Sequence, residues 1–241
     1  EELVTFLGGV GVAGGKMKTT GTIEGGNGLW YAPNTGASNE SDFSALPGGF
    51  GDQTGYFGDL GYFGNIWSST EVGSNEAWQL RLGYGDASAG QYNITKLARF
   101  SVRCIKETEP QPWSCGDTLI DTRDNQKYET VQIGDQCWMA ENLNVGTPID
   151  GANDMTDNSI IEKYCYNDIK DSCDVYGGLY QWNEMMEYST IEGTQGICPE
   201  GWHVPTDNEW KILEGNVDSQ YDVGDEEWDL YGWRGQDAGG N

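Results

Sequence analysis

The sequence predicts an α+β domain with two helices, short twisted antiparallel strands and long glycine-rich loops, stapled by disulfides. Three observations predict it. Glycine takes 36 of 241 positions, about twice ordinary usage, and separates short aromatic stretches, several of which alternate apolar and polar residues. Only two stretches carry the three-to-four spacing of a helix. Six cysteines in an acidic, glycine- and tryptophan-rich chain read as disulfides formed in an oxidising compartment.

In chain order, strands are expected at Tyr62–Thr70, Ala77–Leu82 and Ala98–Ile105. The last two alternate apolar and polar side chains, as half-buried strands do. Glu107 to Ser114 reads as a linker, because Pro110 and Pro112 stiffen it and remove ladder donors. Thr118–Asp121 and Tyr128–Ile133 then flank Asp124-Asn125 as a β-hairpin. A strand with a polar end follows at Gln136–Leu143. Tyr176 to Tyr188 reads as a helix through Leu179, Trp182, Met185 and Met186. A second helix starts after Thr206, the N-cap, with Glu209 three residues on closing a capping box and Asp207 suiting the positive dipole end. Its buried stripe is Trp210, Leu213 and Val217.

Charge removes several functions. The chain has 39 acids against 13 Lys and Arg, net −26. A nucleic-acid binder needs a basic footprint and none exists here. Adsorption to an anionic membrane is disfavoured for the same reason. No run of apolar residues is long enough to span a bilayer. High aromatic content argues against disorder. The single histidine, His203, rules out two-histidine metal motifs within one chain. No Cys-x-x-Cys pair occurs, so metal knuckles and thioredoxin-type redox chemistry are weak readings. The chain starts at Glu1, without Met or a leader, and reads as a mature, processed or excised product.

Two local cysteine pairs follow from spacing. Cys165 and Cys173 bracket a short polar loop, and Cys115 and Cys137 flank the hairpin. One internal echo is informative: Glu1 to Gly15 looks like the second helix resumed after its cap, and Ala238-Gly239-Gly240 repeats Ala13-Gly14-Gly15.

Cys198-Pro-Glu-Gly-Trp-His-Val-Pro-Thr-Asp-Asn-Glu-Trp210 resembles the signature of the Fibrobacter succinogenes major paralogous domain. So do Gln136–Leu143, Tyr176–Tyr180, Trp67–Glu71, Phe43–Gly49 and Phe100–Cys104. The residues that carry the resemblance include Trp67, Arg103, Trp138, Glu141, Asn142, Trp202, His203, Pro205, Thr206, Glu209 and Trp210. The Trp-His-Val-Pro segment and the Phe-Ser-Val-Arg-Cys strand also resemble the formylglycine-generating-enzyme type of C-type lectin fold. The resemblance therefore implies a C-type-lectin-like α+β domain, found in secreted and surface proteins of bacteria.

In that family the Phe-Ser-Val-Arg-Cys strand comes last; here it comes in the first half. The implied organisation is residues 1–106 as the C-terminal half of one domain, 107–114 as linker, and 115–241 as the N-terminal half of the next. Residues 1–106 of another copy, or of the same chain, would complete it. Cys104 and Cys198 lie in the two halves that a complete domain brings together, so the resemblance implies that they form the third bridge.

Candidate sites carry competing readings. His203 is either a base, ligand or pH sensor, or a packed residue before the helix cap. Cysteine catalysis, as in formylglycine-generating enzymes, competes with all six sulfurs being structural. Asp222, Asp225, Glu226 and Asp229, and separately Asp168, Asp171 and Asp174, are candidates for weak calcium or simply a solvated acidic face. No other cofactor is expected. Trp30, Tyr31, Tyr56, Phe57, Tyr62, Phe63 and Tyr84 are either a sugar- or protein-binding surface or core. Asn39-Glu-Ser41 and Asn93-Ile-Thr95 match the glycosylation sequon.

The leading functional expectation is a non-enzymatic extracellular structural or adhesive protein. Half domains completed head to tail would build a fibre or surface array, with self as partner and no membrane span or nucleic acid. The alternative is a monomeric lectin-like module for glycan or protein. A formylglycine-generating type of enzyme is third.

Overall fold

The computed structural model describes residues 11–106, 114–218 and 221–234. The expected helical start at Glu1, the echo at Ala238 and all of the linker except Ser114 lie outside them.

The first segment opens with a short helix, α1 (Ala13–Met17), and then runs in loops to β1 (Phe50–Gly51) and β2 (Phe57–Gly58). A meander follows: β3 (Phe63–Val72), β4 (Glu76–Gly83) and β5 (Ala89–Thr95). The segment closes with β6 (Arg99–Phe100) and β7 (Ile105–Lys106). After the linker come β8 (Leu119–Ile120), β9 (Lys127–Tyr128), β10 (Thr130–Ile133) and β11 (Gln136–Met139). Next are β12 (Thr147–Pro148), β13 (Glu162–Lys163), α2 (Lys170–Tyr176), β14 (Tyr180–Gln181) and α3 (Trp182–Met185). The described chain ends with β15 (Trp202–His203), α4 (Asp207–Val217) and β16 (Gly232–Arg234). The architecture is α+β, and every strand ladder is antiparallel except β12–β13.

The two segments interlock. Each four-stranded sheet contains strands from both sides of the linker. The meander β3–β4–β5 receives β16 on its edge, with Trp233 opposite Gly90. Strand β7 lies between β11 and β15, with Ile105 opposite both Trp138 and His203. Strand β6 lies between β1 and β14. Both buried clusters are shared in the same way. One joins Trp67, Phe100 and Val102 to Trp182, Met185 and Trp202. The other joins Met17, Phe43 and Leu80 to Trp138, Trp210 and Leu213.

Covalent and polar ties reinforce the junction. Disulfides join Cys104–Cys198, Cys115–Cys137 and Cys165–Cys173, and no cysteine is free. Trp67 Nε1 donates to Tyr180 O at 2.9 Å, and Trp182 Nε1 to Ser68 O at 2.9 Å. The deepest polar tie is Arg103. Its Nε donates to Asn142 Oδ1 at 2.6 Å, and its terminal nitrogens donate to Met139 O at 3.1 Å, Ser44 O at 3.0 Å and Phe43 O.

Several elements differ from the sequence expectation, each for a local reason. The helix expected over Tyr176–Tyr188 reduces to the single turn α3. Gly177 takes φ +79, a region an L side chain avoids, and Tyr180 is recruited into a ladder opposite Phe100. Helix α2 lies one step earlier, its buried Cys173 bridged back to Cys165. The expected strand Ala98–Ile105 breaks into β6 and β7, because Arg103 between them turns inward to its four acceptors. The expected single hairpin is two, with the second turning at Gly134 (φ +57). Strand β5 and its partner β16 went unread.

Candidate functional site

The signature residues build structure. Thr206 caps α4: its Oγ1 accepts from Glu209 N at 3.1 Å, and Glu209 Oε2 accepts from Thr206 N at 2.8 Å. The other Glu209 oxygen bonds His203 Nε2 at 2.8 Å, so the lone histidine is tied into the cap. Burial resists ionisation of Glu209, but the bonds from His203 and Thr206 outweigh it and leave its carboxyl below the ordinary value. Pro205 offers its carbonyl to Ser69 N at 2.8 Å. Trp210 packs 4.6 Å from Trp138, with Phe43 edge-on to both. Glu141 accepts from Glu129 N at 2.9 Å, and Asn142 Nδ2 donates to Tyr176 O at 2.8 Å.

The acidic candidates do not converge. Asp222 N donates to Asp225 Oδ2 at 3.0 Å within one turn, and Asp229 Oδ1 pairs with Lys211 at 2.6 Å. Asp168 caps Gly151 N at 2.7 Å, away from Asp171 and Asp174 on α2. Among the described residues no group of three or more His, Cys, Asp or Glu is placed to hold a metal ion. In the sequons, Asn39 Nδ2 bonds Ser44 Oγ at 3.0 Å and Asn93 Nδ2 bonds Glu76 Oε2 at 2.8 Å.

The aromatic candidates divide. Trp30 is fully buried, with Nε1 on Thr19 Oγ1 at 3.1 Å, and Phe57 is 7% exposed; both are core, because a glycine-rich chain has few long aliphatics to fill its interior. Tyr31, Tyr62 and Tyr84 form a surface cluster. Tyr31 stacks on Tyr62 at 4.4 Å and Tyr84 meets Tyr62 edge-on at 5.1 Å. Tyr62 is 40% exposed, and Tyr56 is 61% exposed beside Phe50.

Loop geometry sets this cluster. Tyr31 N donates to Gly61 O at 2.9 Å. Gly61 takes φ +82, and a Cβ there would meet the Tyr31 ring at 2.8 Å, so only glycine lets the two loops approach. Asp59 heads the same turn in the left-handed region (φ +61), its carbonyl accepting from Tyr62 N and Phe63 N.

Sequence reasoning missed a second group of aromatic and cationic side chains, on the strand face opposite Tyr62 and Tyr84. Arg81 on β4 places its guanidinium 3.7 Å from the Phe63 ring and 5.8 Å from that of Tyr92. Tyr231, 64% exposed, meets Tyr92 at 5.6 Å and Trp78 at 6.0 Å. The available signal was Arg81 at a polar position of the expected strand Ala77–Leu82, one turn of meander from Phe63.

A separate cleft of about 320 Å³ is lined by Thr156, Asp157, Ser159, Ile161, Glu184 and Tyr188. Glu184 is buried and accepts from Glu162 N at 2.8 Å and Tyr188 Oη at 2.9 Å. Burial raises its pKa above the ordinary carboxylate value. The folded protein then binds a proton more readily than the unfolded chain, so this group's contribution falls as pH rises from the unfolded value through the folded one. Glu184→Gln is therefore expected to flatten the stability profile on the acid side of neutral, measured by urea unfolding in a pH series. An unchanged profile contradicts the assignment.

Fold and surface together define a disulfide-stapled α+β protein with an aromatic face built on glycine loops. The chain belongs to the Fibrobacter succinogenes major domain family, which it matches over residues 2–106 and 131–240. No curated protein and no solved structure matches it. Among the described residues no helix is long and apolar enough to cross a membrane.

Proposed function

We propose that this protein is an extracellular, non-enzymatic binding module of C-type-lectin-like fold that takes a glycan or protein ligand on the tyrosine face. The observation that carries the reading is the cluster of exposed Tyr62 with half-buried Tyr31 and Tyr84, on a loop frame that Gly61 allows. Rings held rigid by stacking present contact area at little entropic cost. The disulfides agree with an oxidising compartment. A structural part for the cysteines and for His203 agrees with this reading: all six sulfurs are bridged and His203 bonds the capping Glu209.

The test is a glycan array probed with the monomeric protein and with Tyr62→Ala. Binding that the substitution weakens by about tenfold, the loss of one stacking anchor, supports the reading. No retained glycan, or equal retention by the variant, overturns the glycan reading.

A second reading is head-to-tail assembly into a fibre or surface array. It draws on one observation: all three four-stranded sheets, and Cys104–Cys198, are completed across the linker. The same contacts can be made with another copy, as in domain swapping. A denaturing gel without reductant separates the two. A ladder that collapses on reduction, with Cys104 joined to Cys198 of another chain, supports assembly. A single band with the bond inside one chain removes it.

A further inference from the structure

We infer that the slot filled by Ala13-Gly14-Gly15 is a docking site for a second segment of the same chain, Ala238-Gly239-Gly240, which takes that place when the first is expelled. The inference stands apart from the binding reading.

Close backbone approach defines the slot. Ala13, Gly14 and Gly15 are buried in α1. They lie against the residue before β5, Ser88, and the loop at Gly36. A Cβ on Gly14 would stand 2.1 Å from Ser88 O, and one on Gly15 2.5 Å from Gly36 O. Both obstacles are main chain, so any larger residue at either place overpacks the junction. Gly15 N donates to Ala87 O at 2.7 Å, and Gly15 O accepts from Ser38 N at 3.0 Å. Those bonds are made by backbone and carry no residue identity. Ala13 adds its methyl to the buried cluster that holds Leu80, Trp210 and Leu213. The slot therefore selects a small apolar residue followed by two glycines.

Two segments meet that demand. Ala-Gly-Gly occurs at 13–15 and at 238–240, and nowhere else in the 241 residues. The second is within reach. Strand β16 runs antiparallel to β5 and ends with Arg234 opposite Ala89, the neighbour of Ser88 in the wall of the slot. Three residues separate Arg234 from Ala238. At about 3.3–3.6 Å per extended residue, such a span covers roughly 10 Å.

The slot's own contacts are the same for either segment, because both carry the same three residues. The residue in front separates them. Val12 N donates to Asp218 Oδ2 at 3.4 Å, whereas Asp237 precedes the second segment and would bring a like charge toward Asp218. The first segment is thus the preferred occupant and the second the reserve. Exchange leaves the sheets complete, since no sheet strand comes from α1.

Thermal melting of Gly14→Val, Gly239→Val and the double variant, each in the full chain, tests this. The Gly14→Val side chain meets Ser88 O and expels the first segment. Gly239→Val alone is expected to leave the melting temperature unchanged. Gly14→Val is expected to fold with residues 238–240 in the slot, and the double variant to melt about 4 °C or more below it. Amide exchange reads the docking directly. In Gly14→Val the Gly240 amide, bonded to Ala87 O, is expected to exchange at least about tenfold more slowly than in the parent chain. A double variant that melts with Gly14→Val, a Gly14→Val chain that does not fold, or a Gly240 amide without added protection overturns the inference. Melting of Gly14→Val that rises with protein concentration, with paired chains in sedimentation, gives the slot to another copy's segment and overturns docking within the chain.

Discussion

Arg103→Met is expected to lower the unfolding free energy by about 3–5 kcal/mol, because it strips a shared donor from several buried neutral oxygens. The side chain is fully buried. It joins four acceptors on three stretches of chain: Phe43 and Ser44 of a glycine loop, Met139 at the end of β11, and Asn142 beyond it. Methionine fills the volume but leaves those oxygens without donors, and each unsatisfied group costs about 1–3 kcal/mol. Burial pushes the Arg103 pKa down to about 9, so the guanidinium stays charged at neutral pH. Arg103→Lys is expected to rescue little, since an ammonium cannot reproduce the planar fork. Denaturant unfolding monitored by tryptophan fluorescence measures both variants. A loss below about 1 kcal/mol for Arg103→Met contradicts the account.

The second large effect is at Cys104–Cys198. Its sequence separation is 94, against 22 for Cys115–Cys137 and 8 for Cys165–Cys173. In the chain-entropy view the longest loop gains most, about 4–5 kcal/mol, against about 3 and about 2–3 for the shorter ones. Both sulfurs are buried in the core, so the double serine variant also leaves two hydroxyls to be satisfied there. Melting of the three double serine variants is expected to rank them in that order. If removal of Cys165–Cys173 costs most, local packing around α2 outweighs loop closure.

Local chemistry was readable where a few adjacent residues suffice. The capping box of Thr206 and Glu209 needs only their own spacing, and α4 starts where it says. The period-2 pattern of Ala77–Leu82 persists in β4 because its neighbours on both sides are also strands. The two short cysteine pairs needed only proximity along the chain. Reading failed where a distant partner decides. Leu179, Trp182, Met185 and Met186 keep helical spacing, yet Tyr180 pairs with Phe100 instead. Trp30 and Phe57 look like surface in a loop and are buried, because the loops fold back over them.

By itself the sequence determined the class, the two short cysteine pairs and the family. Glycine content, cysteine number and capping residues are properties of composition and short range. Only the tertiary structure decided that every four-stranded sheet is completed across the linker, and which aromatics stay outside. It alone brought Asp59 within 4.0 Å of Arg81. The physical reason is the same in each case: ladder pairing, burial and long-range polar contacts depend on residues far apart in sequence. Their energies are settled only when the whole core closes around them.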